Sequence, residues 1–394
     1  MKDNHGCPVQ GTCVGESVDW KRYGTAGKYR GSTPRRPVLT FRVRCGTIGL
    51  WAWVGRLNMN GTGEKADLRR VLEVRDLCVA YGRRGGGVWR ALSDVSFGVD
   101  AGEILAVLGE SGSGKSTLAA ALLRLLPANG RITGGEISLE GADVVRMDAV
   151  GLRRVRGSGV SIVFQEPSLA LHPTIRVGEQ IEEVLRAHGT RSKRERGERA
   201  REILAKVFTG DVERIFSSYP HELSGGQQQR VLIAQATACE PALVVADEPT
   251  ASLDLLTQRE ILGLFRSLRD ELGIAFIFIT HNPALLVGFA DRVLVLYAGR
   301  VAEVGPTRDV LFAPQHPYTQ ALLKCVPQIS YADPAGRKLP LPVIAGAPPS
   351  LGVLSQGCVF EPRCEERMEI CPVCEPMSAV VGEGHEVACL KFSA

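Results

Sequence analysis

Ile104-Leu105-Ala106-Val107-Leu108-Gly109-Glu110-Ser111-Gly112-Ser113-Gly114-Lys115-Ser116 is five apolar residues running straight into a glycine-rich loop that closes on lysine and serine. A short, continuous apolar run marks a strand covered on both faces. The eight residues from Gly109 fit the pattern GxxxxGK[ST]. Glycines let backbone N–H groups approach a phosphate, and the helix that follows offers its positive N-terminal end. Gly109, Ser111, Gly112, Gly114 and Thr117 are therefore expected to cradle the nucleotide. Lys115 should reach the β- and γ-phosphates, and the Ser116 hydroxyl should ligate Mg²⁺. Eight matching residues can arise by chance; a strand before them and a helix after them make this a nucleotide site.

Outward from that loop the texture alternates. Residues 71–74 and 95–99 alternate as half-buried strands, with the turn Gly85-Gly86-Gly87 between them. Buried-strand runs recur at 161–164, 242–246 and 274–279, separated by helix-period stretches such as 259–272. Strands alternating with helices imply a mainly parallel α/β sheet. The charge-dense stretch 190–202 reads as a solvated helix face. The run Ala242–Ala246 ends on Asp247-Glu248, which places Asp247 beside the metal at the sheet's carboxyl edge. Glu248 is then set to orient and deprotonate a water attacking the γ-phosphate. Leu223-Ser224-Gly225-Gly226-Gln227 opens a helix with a hydroxyl and bare amides, a second anion-binding device.

With these motifs in this order, the chain resembles the ATP-binding cassette (ABC) ATPases, whose signature is LSGGQ. The resemblance covers roughly residues 72–305 and implies further roles. Gln165 matches the glutamine that contacts Mg²⁺ and the attacking water, and His281 the switch histidine that holds the γ-phosphate. Ala251-Ser252-Leu253-Asp254 resembles the D-loop, and Tyr81 is placed like the aromatic that stacks on adenine. In the family, Ser224, Gly225, Gly226 and Gln227 complete the site of a partner cassette, so one P-loop and one signature per chain imply pairing with a second ATPase subunit, identical or sister. Two positions depart from the family's habit: Asn282 where Asp is usual and Gln235 where Arg is common. Neither removes a catalytic group.

Within that family, Glu166 to Pro173, Val177-Gly178-Glu179-Gln180-Ile181 and Gln315-His316-Pro317-Tyr318-Thr319-Gln320-Ala321-Leu322-Leu323 look like the oligopeptide and dipeptide importer branch. That branch implies two transmembrane permease subunits and an extracytoplasmic binding protein as partners, with this subunit on the cytoplasmic face of the cell membrane. Cys358, Cys364, Cys371 and Cys389 are spaced C-x5-C-x6-C-x17-C, with Cys374 extra. Four thiolates in one short segment can enclose a tetrahedral metal or an iron–sulfur cluster. The gaps are wide for zinc, and the resemblance implies [4Fe–4S]; unligated thiols are the alternative. The expected fold class is α/β: a P-loop NTPase ABC cassette at 67–312, with a parallel-sheet core, an antiparallel β subdomain and a helical subdomain. A small cysteine-containing extension, read as separate, follows at 313–394, rich in proline near 340–349.

Composition narrows the function classes. Of 394 residues, 44% are hydrophobic and 23% charged, as in globular proteins. The net charge of +4 is local: residues 1–58 carry +7, which leaves −3 for the remainder. An acidic body offers no phosphate-binding stripe, so nucleic acid is not an expected partner. Residues 1–66 read as a poorly ordered basic leader, or as a segment ahead of a translation start at Met59; that start would remove Cys7, Cys13 and Cys45. No apolar run approaches the ~20 residues of a bilayer span, and no secretory signal follows Met1. The competing class is a soluble ABC ATPase acting on nucleic acid or the ribosome. Such proteins normally carry two cassettes or a long inserted coiled coil. A third, a cassette that binds ATP without turnover, conflicts with intact Lys115, Asp247, Glu248 and His281.

Overall fold

A computed structural model describes residues 69–83, 85–189, 192–326, 342–349 and 356–392. The expected leader, Met59 and the first three cysteines lie outside the described residues. The chain opens with β1 (Arg70–Gly82) and β2 (Val88–Asp100), an antiparallel hairpin turned at the expected glycines. β3 (Ile104–Leu108) enters the phosphate loop, and α1 (Lys115–Leu122) leaves it. β4 (Gly130–Leu139) and β5 (Ala142–Asp143) complete a four-stranded antiparallel sheet in the order β2-β1-β4-β5.

α2 (Ala149–Ser158) leads into β6 (Val160–Val163). A helical subdomain then intervenes: α3 (Pro167–Ala170), α4 (Val177–Ala187), α5 (Lys193–Val207), α6 (Val212–Ser217) and α7 (Gly225–Thr237). The charge-dense stretch is α5, capped by Ser192 and Glu195 in a reciprocal box that satisfies two orphan N–H groups. α4 buries Val177, Ile181 and Leu185 at a four-residue spacing, one helical stripe. Its Gln180 is also buried. That side chain accepts the His172 N–H (2.9 Å) and donates to the carbonyls of His172 (3.0 Å) and Ile175 (2.8 Å), fixing the loop ahead of the helix.

The remaining core strands and one helix follow: β7 (Leu243–Asp247), the helix α8 (Leu255–Leu272), β8 (Ala275–Thr280), β9 (Arg292–Tyr297) and β10 (Arg300–Pro306). β9, β3, β8, β7 and β6 lie parallel in that order. Continuous apolar runs are required because both faces are covered. Ile104, Ala106, Phe276 and Phe278 pack toward the helices, while Leu105, Val107, Ile277 and Ile279 pack toward α1 and the antiparallel sheet. Phe265 of α8 meets both Phe276 and Phe278 edge-on, at 5.3 and 5.7 Å between centroids.

The segment after 312, read from the sequence as an appendage of its own, continues the cassette's sheet. After α9 (Thr307–Phe312) and α10 (Pro317–Lys324), β11 (Ala379–Gly382) and β12 (His385–Val387) form a hairpin whose second strand pairs with β10. The described residues, from 69 to 392, belong to one compact unit. Glu303 on β10 is fully buried and is held from both sides of this junction. It accepts the N–H groups of Gln315 (2.8 Å) and His316 (3.1 Å), and its Oε1 lies 2.7 Å from His385 Nε2. The HPY sequence becomes physical here. His316 caps α10 by accepting the Tyr318 N–H at 2.9 Å, and Pro317 takes the first helical position, where no N–H is needed.

Burial lowers the His316 pKa from its ordinary 6.5 to about 4, partly opposed by a backbone hydrogen bond with Ala388. The unfolded chain therefore takes up a proton below pH 6.5 that the folded chain refuses until pH 4. This contribution is present above pH 6.5 and is lost as pH falls towards 4. It should remove roughly 2 kcal/mol of stability between pH 7 and pH 5. His316→Asn keeps a capping acceptor without the titration. Urea unfolding at the two pH values should show the variant losing that much less than wild type; equal losses would contradict the assignment.

Candidate nucleotide site

Sheet register builds the site. Leu108 pairs with Thr280, Ile279 with Asp247, and Ala246 with Val163, so the carboxyl ends of β3, β8, β7 and β6 stand level. The residues that follow form a row along one edge: the phosphate loop after β3, His281 after β8, Asp247 and Glu248 at β7, and Gln165 after β6. This is where open α/β sheets bind ligands.

The loop is shaped by what its glycines permit. Gly114 has φ 109°, and a Cβ at Gly109 would lie 2.2 Å from the Leu296 carbonyl oxygen. Lys115 is buried, and its ammonium donates to the carbonyls of Gly109 and Glu110, both at 2.8 Å. Burial lowers its pKa, against the pull of the carboxylates of Glu248, Asp247 and Glu110. Ser111, Gly112 and Ser116 are exposed and Thr117 half-buried, on the open side of the loop.

Asp247 is pushed the other way. Burial raises its pKa and the charge of Glu248 adds to this, while a hydrogen bond from Ser116 and the charge of Lys115 pull it down. Its Oδ1 is buried without a hydrogen-bond partner among the described residues. An orphaned carboxylate oxygen beside a serine hydroxyl suits a hard divalent cation such as Mg²⁺. Glu248 holds a left-handed backbone (φ 46°), uncommon outside glycine and frequent at functional sites. Its Oε2 lies 3.1 Å from His281 Nδ1 and accepts a 3.5 Å bond from Gln165 Nε2. Glu248 and Gln165, expected to handle the attacking water, and His281, expected to hold the γ-phosphate, thus meet at one oxygen. Tyr81, one residue before the end of β1, has its hydroxyl 3.2 Å from Thr117 Oγ1.

The signature lies on a separate element. Ser224 caps α7, accepting the Gln227 N–H at 3.3 Å while Gln227 accepts the Ser224 N–H at 3.1 Å. Ser224 and Gly225 face solvent, and Gln228 braces the loop by donating to the carbonyls of Pro220 (2.8 Å) and Leu223 (3.2 Å). Asp254 caps α8. Its bonds from the Thr257 hydroxyl (2.6 Å) and the N–H groups of Thr257 and Leu256 (3.0 Å each) hold its carboxyl below the usual range.

Three residues not singled out from the sequence for this site adjoin it: Glu110, Tyr318 and Arg363. The Glu110 N–H donates to the Tyr318 hydroxyl at 2.9 Å, and its carboxylate accepts both terminal nitrogens of Arg363. Tyr318 sits inside the quoted HPY run, but nothing local announces its partner.

Cys358, Cys364, Cys371 and Cys389 line one small cavity of about 20 Å³. Burial pushes the Cys358 thiol up to about 11 and raises those of Cys364 and Cys389 as well. Among the described residues no three potential ligands converge closely enough, as they stand, to hold a metal ion. The donor set suits a soft metal. The space is about that of one water molecule, so the iron–sulfur expectation gains no support from it. No helix among the described residues is long and apolar enough to cross a membrane.

Comparison with known proteins follows the same outline. Residues 92–251 match the ABC transporter family model, and residues 302–371 match the oligopeptide/dipeptide transporter C-terminal region. The chain is 42% identical over 321 residues to the oligopeptide transport ATP-binding protein OppD of Escherichia coli (strain K12), spanning 82% of this chain and 93% of that one. It is 38% identical over 323 residues to the dipeptide transport ATP-binding protein DppD of Bacillus subtilis (strain 168), spanning 82% and 95%. Among solved structures it resembles the ATP-binding cassette MJ0796, seen as a dimer in a post-hydrolysis state bound to ADP and Pi. That match has a TM-score of 0.54 and 31% identity, over 60% of this chain and 99% of that one.

Proposed function

We propose, for a chain that belongs to the ABC transporter family and is an ATP-binding subunit of its oligopeptide/dipeptide branch, that it hydrolyses ATP to drive a peptide importer by closing face to face on a second cassette. The observation that carries this is the row at the sheet edge, where the Lys115 loop, Asp247, Glu248, Gln165 and His281 come together while the signature faces solvent on α7. In this proposal Gly109, Ser111, Gly112, Gly114 and Thr117 cradle the phosphates, Tyr81 stacks on adenine, and Ser116, Asp247 and Gln165 hold Mg²⁺. When bound, Mg²⁺ neutralises charge that develops on the β- and γ-phosphates. Glu248 orients and deprotonates the attacking water, and His281 holds the γ-phosphate side of the site. Ser224, Gly225, Gly226 and Gln227, with Asp254 beside them, complete the partner's site.

The permease-facing surface is assigned to the segment after β6, where Phe164 and Leu169 are exposed, Leu169 at 81%. Two permease subunits would seat there on the cytoplasmic side of the membrane, fed by an extracytoplasmic binding protein. The cassette is assigned to 67–312 and the branch-specific extension to 313–394. Cys358, Cys364, Cys371 and Cys389 form a soft-metal or [4Fe–4S] site in that extension, and a cluster requires the thiols to part. Elemental analysis of anaerobically purified protein tests this, with iron plus sulfide or one zinc per chain expected; metal-free protein overturns it.

The functional test uses the chain assembled with its own permeases in lipid vesicles. ATP hydrolysis should rise when peptide-loaded binding protein is added on the outer face. A rate that ignores the binding protein and rises with ribosomes or RNA would replace this proposal with a soluble ABC ATPase.

A further inference from the structure

The phosphate loop is held from outside the cassette's motifs. Glu110, its second residue, is gripped by two side chains 208 and 253 residues downstream. Tyr318 accepts the Glu110 N–H at 2.9 Å. Arg363 forks onto the carboxylate, Nη1 to Oε2 at 2.8 Å and Nη2 to Oε1 at 3.1 Å. The Arg363 side chain is only 4% exposed and that of Glu110 24%. The guanidinium is fixed in turn: Nε donates to the Ala345 carbonyl at 3.0 Å, and Nη1 to the Tyr297 hydroxyl at 3.3 Å. Tyr297 and Tyr318 pack at 4.4 Å between centroids, and Phe360, three residues before Arg363, closes on both at 5.2 and 5.4 Å. Arg363 itself ends a short turn immediately before Cys364.

Two consequences follow. The Glu110 carbonyl is one of the two that hold the Lys115 ammonium, so a brace on Glu110 is a brace on Lys115. The Glu110 carboxylate also reaches Lys115 electrostatically. Left unpaired, it would place a negative charge beside a loop built to receive phosphates. A planar guanidinium answers both needs, neutralising the charge and fixing its direction with two parallel bonds.

We propose that Arg363 and Tyr318 are positioning residues for nucleotide binding: they hold and neutralise Glu110, and so set the affinity of the phosphate loop for MgATP. This rests on the nucleotide role given above to that loop. The C-terminal segment is then part of the ATP site's support as well as a mark of the branch.

The test is a titration of the full chain with MgATP. Arg363→Met keeps the aliphatic stem and removes the charge. It should raise both Kd and KM about tenfold or more while kcat at saturating MgATP stays within about twofold. Adding Glu110→Gln to Arg363→Met should bring Kd back to within about threefold of wild type. A merely structural role predicts the opposite, because the double variant has lost both partners. Should Arg363→Met fail to fold, Arg363→Lys, which keeps the charge and gives up the fork, and Tyr318→Phe each carry the test with a severalfold rise in Kd. Wild-type affinity in the soluble Arg363 variants, or a loss that Glu110→Gln does not relieve, overturns the proposal. Wild-type protein that fails to bind MgATP overturns the nucleotide role itself, a distinct result.

Discussion

Glu248→Gln should leave MgATP binding intact and slow hydrolysis by about 10²- to 10⁴-fold, the range for loss of a positioned general base. Glutamine is isosteric and keeps an oxygen that can accept the contacts now made by His281 Nδ1 (3.1 Å) and Gln165 Nε2 (3.5 Å). It has no basic oxygen with which to take a proton from water. The left-handed backbone at this position, with its N–H on the Ile279 carbonyl at 3.1 Å, aims the side chain and is untouched by the change. Binding and closure precede the missing step, so ATP should accumulate between two closed cassettes. Light scattering with and without MgATP would show the variant as a stable dimer, and single-turnover assays would give the rate. Undiminished hydrolysis would remove Glu248 from its role. Full-speed hydrolysis by demonstrably monomeric wild-type protein would remove the two-cassette site.

Much of this site was legible because its chemistry is local in sequence. Residues 104–117 contain the strand, the loop glycines, the lysine and the hydroxyls in one stretch, and 242–248 contain a strand and its two carboxylates. Steric demands at Gly109 and Gly114 leave little freedom in what such a segment can be. The convergence of Gln165, Glu248 and His281 is different. It depends on the pairing of β6 with β7 and β7 with β8, and register is set by tertiary packing, so the family resemblance supplied what spacing could not. Least legible was the far end of the chain. Glu303 sits in a strand where a glutamate would ordinarily face water, and only the arrival of Gln315, His316 and His385 makes its burial tolerable. Arg363 looks like a charge among loop cysteines, and its partner is 253 residues away. No periodicity or local motif encodes contacts of that separation.

Lys115→Met should weaken MgATP binding about a hundredfold or more while leaving the fold in place. The ammonium is buried, and without nucleotide it is satisfied by the carbonyls of Gly109 and Glu110. The carboxylates of Glu248, Asp247 and Glu110 all raise its pKa against the lowering effect of burial. Methionine has nearly the same length and packs adaptably, so the cavity stays filled. The charge-assisted bond to phosphate is lost, which is worth about 1.5–3 kcal/mol, or roughly 10- to 150-fold. Asp247 and Glu248 are also left facing an incoming polyanion with less to offset them, Glu110 staying paired with Arg363, which moves the expected effect to the upper end of that range or beyond. Because burial outweighs these partners and lowers the pKa of the ammonium, the charged form is disfavoured in the fold, and the urea midpoint of the variant should equal or exceed that of wild type. Fluorescent-nucleotide titration beside urea unfolding separates the two effects. Binding within threefold of wild type would show that Lys115 does not reach the phosphates. A large fall in the midpoint would show that the ammonium is chiefly a structural tie between the loop carbonyls.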